Sequence, residues 1–100
     1  MTNINNIIYQ DQRRVILESL NESGFDANEN MLLDCLELYG HRISQTLLRN
    51  HLLFLEDNGL ISIKKISNNL LWVAQLTRTG EDVAAGKTRC EGIRKAHSNF

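Results

Sequence analysis

The feature that most constrains this 100-residue chain is a change of apolar period at Gly59. Before it, Leu48, Leu52 and Leu55 recur at i, i+4 and i+7, the spacing that gathers side chains on one face of a helix. After it, residues 60–66 and 70–76 form two short apolar runs separated by Ser67, Asn68 and Asn69, the pattern of a β-hairpin. The spacing predicts a helix over residues 44–58, opened by Ser44 as N-cap, and a two-stranded hairpin over residues 60–76. No Asn-Gly pair marks the turn, so it is expected to be longer than two residues.

Upstream, Ile16, Leu17 and Leu20, with Val15 beside them, predict a first helix over residues 11–23 that closes at Gly24. The Asn-rich residues 1–10 read as a flexible segment, with Ile7, Ile8 and Tyr9 at the edge of the core. A short extended stretch leads to a second helix, capped by Asn28 or Asp26, with Glu29 favourably placed in its first turn. Leu32, Cys35, Leu36 and Tyr39 are expected to form its inward stripe, and Gly40 to end it. Thr77 is the expected cap of a short fourth helix that stops at Gly86 and is weakened internally by Gly80. The fold class expected is mainly α with a small β-hairpin: a winged helix-turn-helix with a three-helix core over residues 11–86, a C-terminal wing and a short fourth helix. Trp72 and Ile63 are expected to cover the open side of the core, and residues 87–100 to form a basic tail.

Composition narrows the function classes. A hydrophobic content of 42% and a charged content of 23% are ordinary for a globular domain. No apolar run reaches the roughly 18 residues that a membrane-spanning helix needs, and the N-terminus lacks the pattern of a secretory signal, so a cytoplasmic protein without membrane contact is expected. Net charge is −1, but it is unevenly spread. Residues 1–60 carry four arginines against nine carboxylates, whereas residues 61–100 carry seven cations against three. A neutral chain polarised in this way can still present a basic face to phosphate. Cys35 and Cys90 do not make a disulfide framework. With His41, His51 and His97 they give no zinc spacing, and no cofactor or metal is expected. No nucleophile–base pairing, glycine-rich phosphate loop or His-Glu metal motif is present, which argues against an enzyme. Asp34 and Glu37 stand one turn apart but read as a solvated face.

Several stretches carry a family resemblance. Residues 47–61, LLRNHLLFLEDNGLI, and 76–86, LTRTGEDVAAG, resemble the third helix and the segment after the wing in bacterial regulators of the ArsR and MarR type. GHRIS at residues 40–44, WVAQLT at residues 72–77 and the following GEDVAAG are similar to small winged-helix proteins of Mu-like prophages. The resemblance covers roughly residues 12–90 and implies a phage or prophage transcriptional regulator. Metal-sensing ArsR regulators carry a Cys-x-Cys pair before the turn. Only Cys35 stands there, so metal sensing is not implied.

In a helix-turn-helix the third helix lies in the major groove. With Leu48, Leu52 and Leu55 turned inward, Gln45, Thr46, Arg49 and Asn50 are expected outside, where Arg can fork onto guanine and Gln or Asn onto adenine. Lys64, Lys65, Asn68 and Asn69, together with Ser67, are the expected wing contacts to phosphate or the minor groove. Each group also suits a blander role: a polar surface for the helix, and a charged edge strand that resists aggregation for the wing. Leu33, Leu38, Leu47 and Leu53 exceed the needs of one thin core and point to a partner surface, most economically a homodimer reading two half-sites of double-stranded DNA. The alternative is a winged-helix adaptor that binds protein of phage or host machinery, favoured by the acidic front half and by Leu53.

Overall fold

The computed structural model describes residues 3–95. Its elements run α1 (Ile4–Glu22), β1 (Asp26–Asn28), α2 (Glu29–Leu38), α3 (Gln45–Asp57), β2 (Ile61–Ile66), β3 (Leu71–Leu76) and α4 (Arg78–Ala84). Four helices thus accompany a three-stranded antiparallel sheet of order β1-β3-β2. The hairpin expected over residues 60–76 is present, and β1 adds a strand on its far side through Asp26↔Gln75, Ala27↔Ala74 and Asn28↔Val73.

The core forms where apolar faces of the first three helices meet. Ile16, Leu17 and Leu20 of α1, Leu32 and Leu36 of α2, and Leu48, Leu52 and Leu55 of α3 are all buried. Leu60, Ile61, Trp72, Ala74 and Leu76 close the side that faces the sheet. Caps start the helices where short polar side chains satisfy otherwise unpaired N–H groups. Asn28 accepts from the Met31 N–H at 2.9 Å, Ser44 from Leu47 at 3.1 Å, and Thr77 from Gly80 at 3.0 Å.

Four expectations need correction. First, residues 1–10 are not a loose segment as far as they are described, because α1 already begins at Ile4. Asn3 caps it by accepting from the Asn6 N–H at 3.0 Å, and Tyr9 stands edge-on to the His51 ring with centroids 5.4 Å apart. Second, the basic tail folds back as far as residue 95. Ile93 is buried, Arg94 N–H donates to the Gln10 carbonyl at 3.1 Å, and Arg13 donates to the Gly92 carbonyl at 2.9 Å. Residues 96–100, with His97 among them, lie outside the described residues. Third, Tyr39 is not part of the inward stripe of α2. The helix ends at Leu38, so Tyr39 becomes its C-cap and is exposed. Fourth, Leu70 is in the turn rather than the strand, since Ile66↔Leu71 is the last ladder pair. Ser67, Asn68 and Asn69 turn through three successive left-handed conformations (φ 54°, 55° and 71°), which asparagine tolerates better than most residues.

Gly80 is more than a weak point in α4. A Cβ there would lie 2.0 Å from the Leu60 carbonyl oxygen and 2.7 Å from the Leu76 side chain. The missing side chain lets α4 sit directly on the start of the hairpin. Thr77 fastens the same junction, donating through its N–H to Leu60 O at 3.0 Å and through its hydroxyl to Gly59 O at 2.7 Å.

Candidate nucleic-acid interface

Ser44 fixes the start of α3, and burial of Leu48, Leu52 and Leu55 fixes its rotation. Gln45, Thr46 and Asn50 are consequently exposed along its first two turns. Leu53, further along, is 38% exposed.

Arg49 has a different environment from the one expected of a base-reading side chain. Its guanidinium donates two parallel hydrogen bonds to Glu29 of α2, Nε to Oε1 and Nη2 to Oε2, each 2.8 Å long. Nη2 also donates to the Asn69 carbonyl in the hairpin turn at 2.9 Å, and the guanidinium stacks over the Trp72 ring at 4.6 Å. Glu29 is fully buried and also accepts from the Trp72 N–H at 2.8 Å. The Arg49 hydrogen bonds outweigh the cost of burial and hold the Glu29 carboxyl below its ordinary range, with help from the Trp72 N–H. Trp72 Nε1–H donates to Asn69 Oδ1 at 3.2 Å. This closed set of contacts joins the start of α2, the exposed side of α3 and the tip of the hairpin. Arg49 therefore acts as a brace, and its donors are largely committed within the chain.

Lys64 and Lys65 diverge. They are consecutive on β2, so they point to opposite faces of the hairpin. Lys65 pairs with Trp72 in the ladder and holds its ammonium 4.7 Å from the indole centre. Lys64 pairs with Val73 and points to the other face. Both are exposed, as are Asn68 and Asn69 at the tip. Asn69 is partly engaged through Trp72 and Arg49, whereas Asn68 makes no side-chain hydrogen bond among the described residues.

A second polar group lies on the buried side of α3. His51 is buried between Gln12 and Arg13 of α1. Its Nδ1 accepts from Arg13 Nε at 3.1 Å, and its Nε2 stands 2.8 Å from Gln12 Oε1. The Arg13 guanidinium lies over the Phe54 ring at 3.9 Å. Nearby, Asp11 collects His41 at 2.7 Å, Arg14 at 2.9 Å and Arg94 at 3.3 Å. Burial raises the Asp11 pKa, but the hydrogen bonds from His41 and Arg14 overcome that and keep it low.

Sequence reasoning missed Glu29 and His51 as buried anchors. The signal was the helical period itself. Glu29 stands at i−3 and i−7 from Leu32 and Leu36, and His51 at i+3 from Leu48 and i−4 from Leu55, so both fall on core-facing stripes. Every described buried side-chain nitrogen or oxygen has a hydrogen-bond partner. Among the described residues no group of three His, Cys, Asp or Glu side chains is placed to hold a metal ion, and no helix is long and apolar enough to cross a membrane.

The chain is 37% identical to protein gp26 of Escherichia phage Mu, itself uncharacterized, over 92 residues that cover 92% of this chain and 94% of gp26. It is 47% identical to an uncharacterized protein of Haemophilus influenzae over 72 residues, 72% of this chain and 70% of that protein. No family model and no solved structure matches. The expected kinship with proteins of Mu-like phages is thereby shown.

Proposed function

The chain belongs to the family of phage Mu gp26, and on that premise we propose that it is a cytoplasmic winged-helix protein that binds double-stranded DNA as a regulator in a Mu-like phage or prophage, acting as a homodimer. The order helix, strand, helix, helix, hairpin, with the first strand paired to the outgoing arm of the hairpin, supports the winged-helix reading. So does the likeness of residues 47–61 and 76–86 to ArsR- and MarR-type regulators. The observation that carries the DNA reading is the brace. It ties the hairpin tip to the helix whose Gln45, Thr46 and Asn50 are exposed, so helix and wing form one rigid reading head.

In this reading Gln45 and Asn50 hydrogen-bond base edges, with adenine the natural target of their amides, and Thr46 contacts phosphate or a thymine methyl. Lys64, Asn68 and the free edge of Asn69 approach the backbone, where contacts set position rather than sequence. Lys65 supports the wing through Trp72 and adds positive potential. Arg49 sets the angle between helix and wing.

The test is selection of bound duplexes from random DNA, followed by titration of selected and random duplexes across a salt series. Asn50→Ala is expected to lower discrimination by about 1–3 kcal/mol at one base pair. Lys64→Ala is expected to weaken all duplexes alike and to flatten the salt dependence, because phosphate contacts release counterions. Arg49→Ala is expected to weaken selected and random DNA together rather than to relax one base position. No affinity for any duplex at low salt refutes the reading. The alternative, a protein-binding adaptor, is favoured by two specific observations: the charge of Arg49 is balanced by Glu29, and Leu53 lies exposed on the same helix.

A further inference from the structure

The C-terminal ends of α1 and α2 converge on one shallow groove. A concavity of about 250 Å³ lies between them, lined by Ser19, Glu22, Ser23, Cys35, Leu38 and Tyr39. A second, more open concavity continues past Leu38 to Asp34 and Glu37. Leu38 belongs to both and is 86% exposed, an unusual cost for a leucine at the end of an ordered helix.

The charged side chains that line this groove are all acidic. Glu22, Asp34 and Glu37 are exposed around it. Ser23 and Tyr39 are the C-caps of α1 and α2, so the negative ends of two helix dipoles meet here, and neither helix has a basic residue in its last turn to offset them. Arg42 pairs with Glu37 at 2.8 Å, with both side chains in solvent. A face of this charge repels phosphate. Among the described residues of the chain's own basic segment, the one large aliphatic side chain, Ile93, is buried.

We propose that this groove is a docking site for a basic amphipathic helix of a partner protein, with an apolar side chain of the partner packing on Leu38, Cys35 and Tyr39 while its Lys or Arg residues meet Glu22, Asp34 and Glu37. The proposal does not rest on DNA binding. An apolar anchor surrounded by complementary charge is the arrangement by which helix-in-groove recognition achieves both affinity and orientation.

The probe is a fluorescently labelled synthetic helix with leucines at i, i+4 and i+7 and lysines elsewhere, compared with its counterpart carrying glutamates in place of the lysines. Fluorescence anisotropy is read at low and high salt, and sedimentation follows the protein alone. The lysine peptide is expected to bind and the glutamate peptide not to bind. Leu38→Ser, which removes only an exposed side chain, is expected to weaken binding about tenfold or more. Glu22→Gln combined with Asp34→Asn is expected to remove most of the salt dependence, and Glu56→Gln on α3 to change nothing. Circular dichroism confirms that each variant is folded. Equal binding of the two peptides, or a Leu38→Ser variant that binds as the native protein does, overturns the proposal. A dimer of the protein alone that Leu38→Ser dissociates also overturns it, since the groove then holds a second copy.

Discussion

Lowering the pH should loosen this protein through His51 before most other groups respond. Burial, with smaller contributions from the charges of Arg13 and His41, pushes the His51 pKa down from 6.5 to about 4. The geometry explains the resistance to protonation: Nδ1 is the acceptor for Arg13 Nε, so a proton there would face a guanidinium. The folded pKa lies below the unfolded one, so the unfolded chain binds the proton first as pH falls. The stabilisation is complete above about pH 6.5 and drains away down to about pH 4. A shift of this size corresponds to at most about 3 kcal/mol, and to nearer 2 kcal/mol once solvent screening is allowed for. His51→Gln isolates the effect, because a glutamine can accept from Arg13 and donate to Gln12 without titrating. Asp11 and Glu29, whose carboxyls are also held low, lose stability in acid in both proteins and cancel in the comparison. Urea melts from pH 7 to pH 4 should show the native protein losing about 2 kcal/mol more than the variant. Parallel stability curves would refute the reasoning and mean that the buried site accommodates the imidazolium.

Two further predictions concern the packing. Leu52→Ala should cost about 2–5 kcal/mol in denaturant melts, as buried leucines do, and Leu53→Ala much less, so equal losses would mean that α3 is rotated from the position described. Gly80→Ala should destabilise despite alanine's better helix propensity, because its Cβ would meet the Leu60 carbonyl; a thermal melt with an unchanged or raised Tm would show that α4 can slide off the hairpin.

The elements were legible in the sequence wherever period or capping chemistry was strong. The helix over residues 44–58 and the hairpin after Gly59 stand where the change of period places them, and Ser44, Asn28 and Thr77 cap as their chemistry suggests. The start of α1 was not legible, since Asn and Ile are poor helix formers and the cap at Asn3 shows itself only through its bond to Asn6. The exposed positions Gln45, Thr46 and Asn50 followed from the leucine stripe. The fate of Arg49 did not, because it depends on a carboxylate 20 residues away whose burial is a tertiary fact. Helix periodicity could have flagged Glu29 as inward-facing, but nothing local names its partner. The opposite facings of Lys64 and Lys65 needed only the period of a strand; treating them as one patch overlooked it.

The brace of Glu29, Arg49, Asn69 and Trp72 divides the surface formed by α3 and the hairpin into parts that evolve under different rules. Changing Arg49 alone strands a carboxylate in the interior, and changing Glu29 alone releases a guanidinium from the hairpin tip. Substitutions at these positions are therefore tolerated chiefly in combination, so they should covary across the family as a frame. Gln45 touches this frame through Glu29, whereas among the described residues Thr46 and Asn50 carry no such internal obligation, and a lineage can rewrite them one at a time. Related chains could in this way change the chemistry of that surface while its geometry stays inherited.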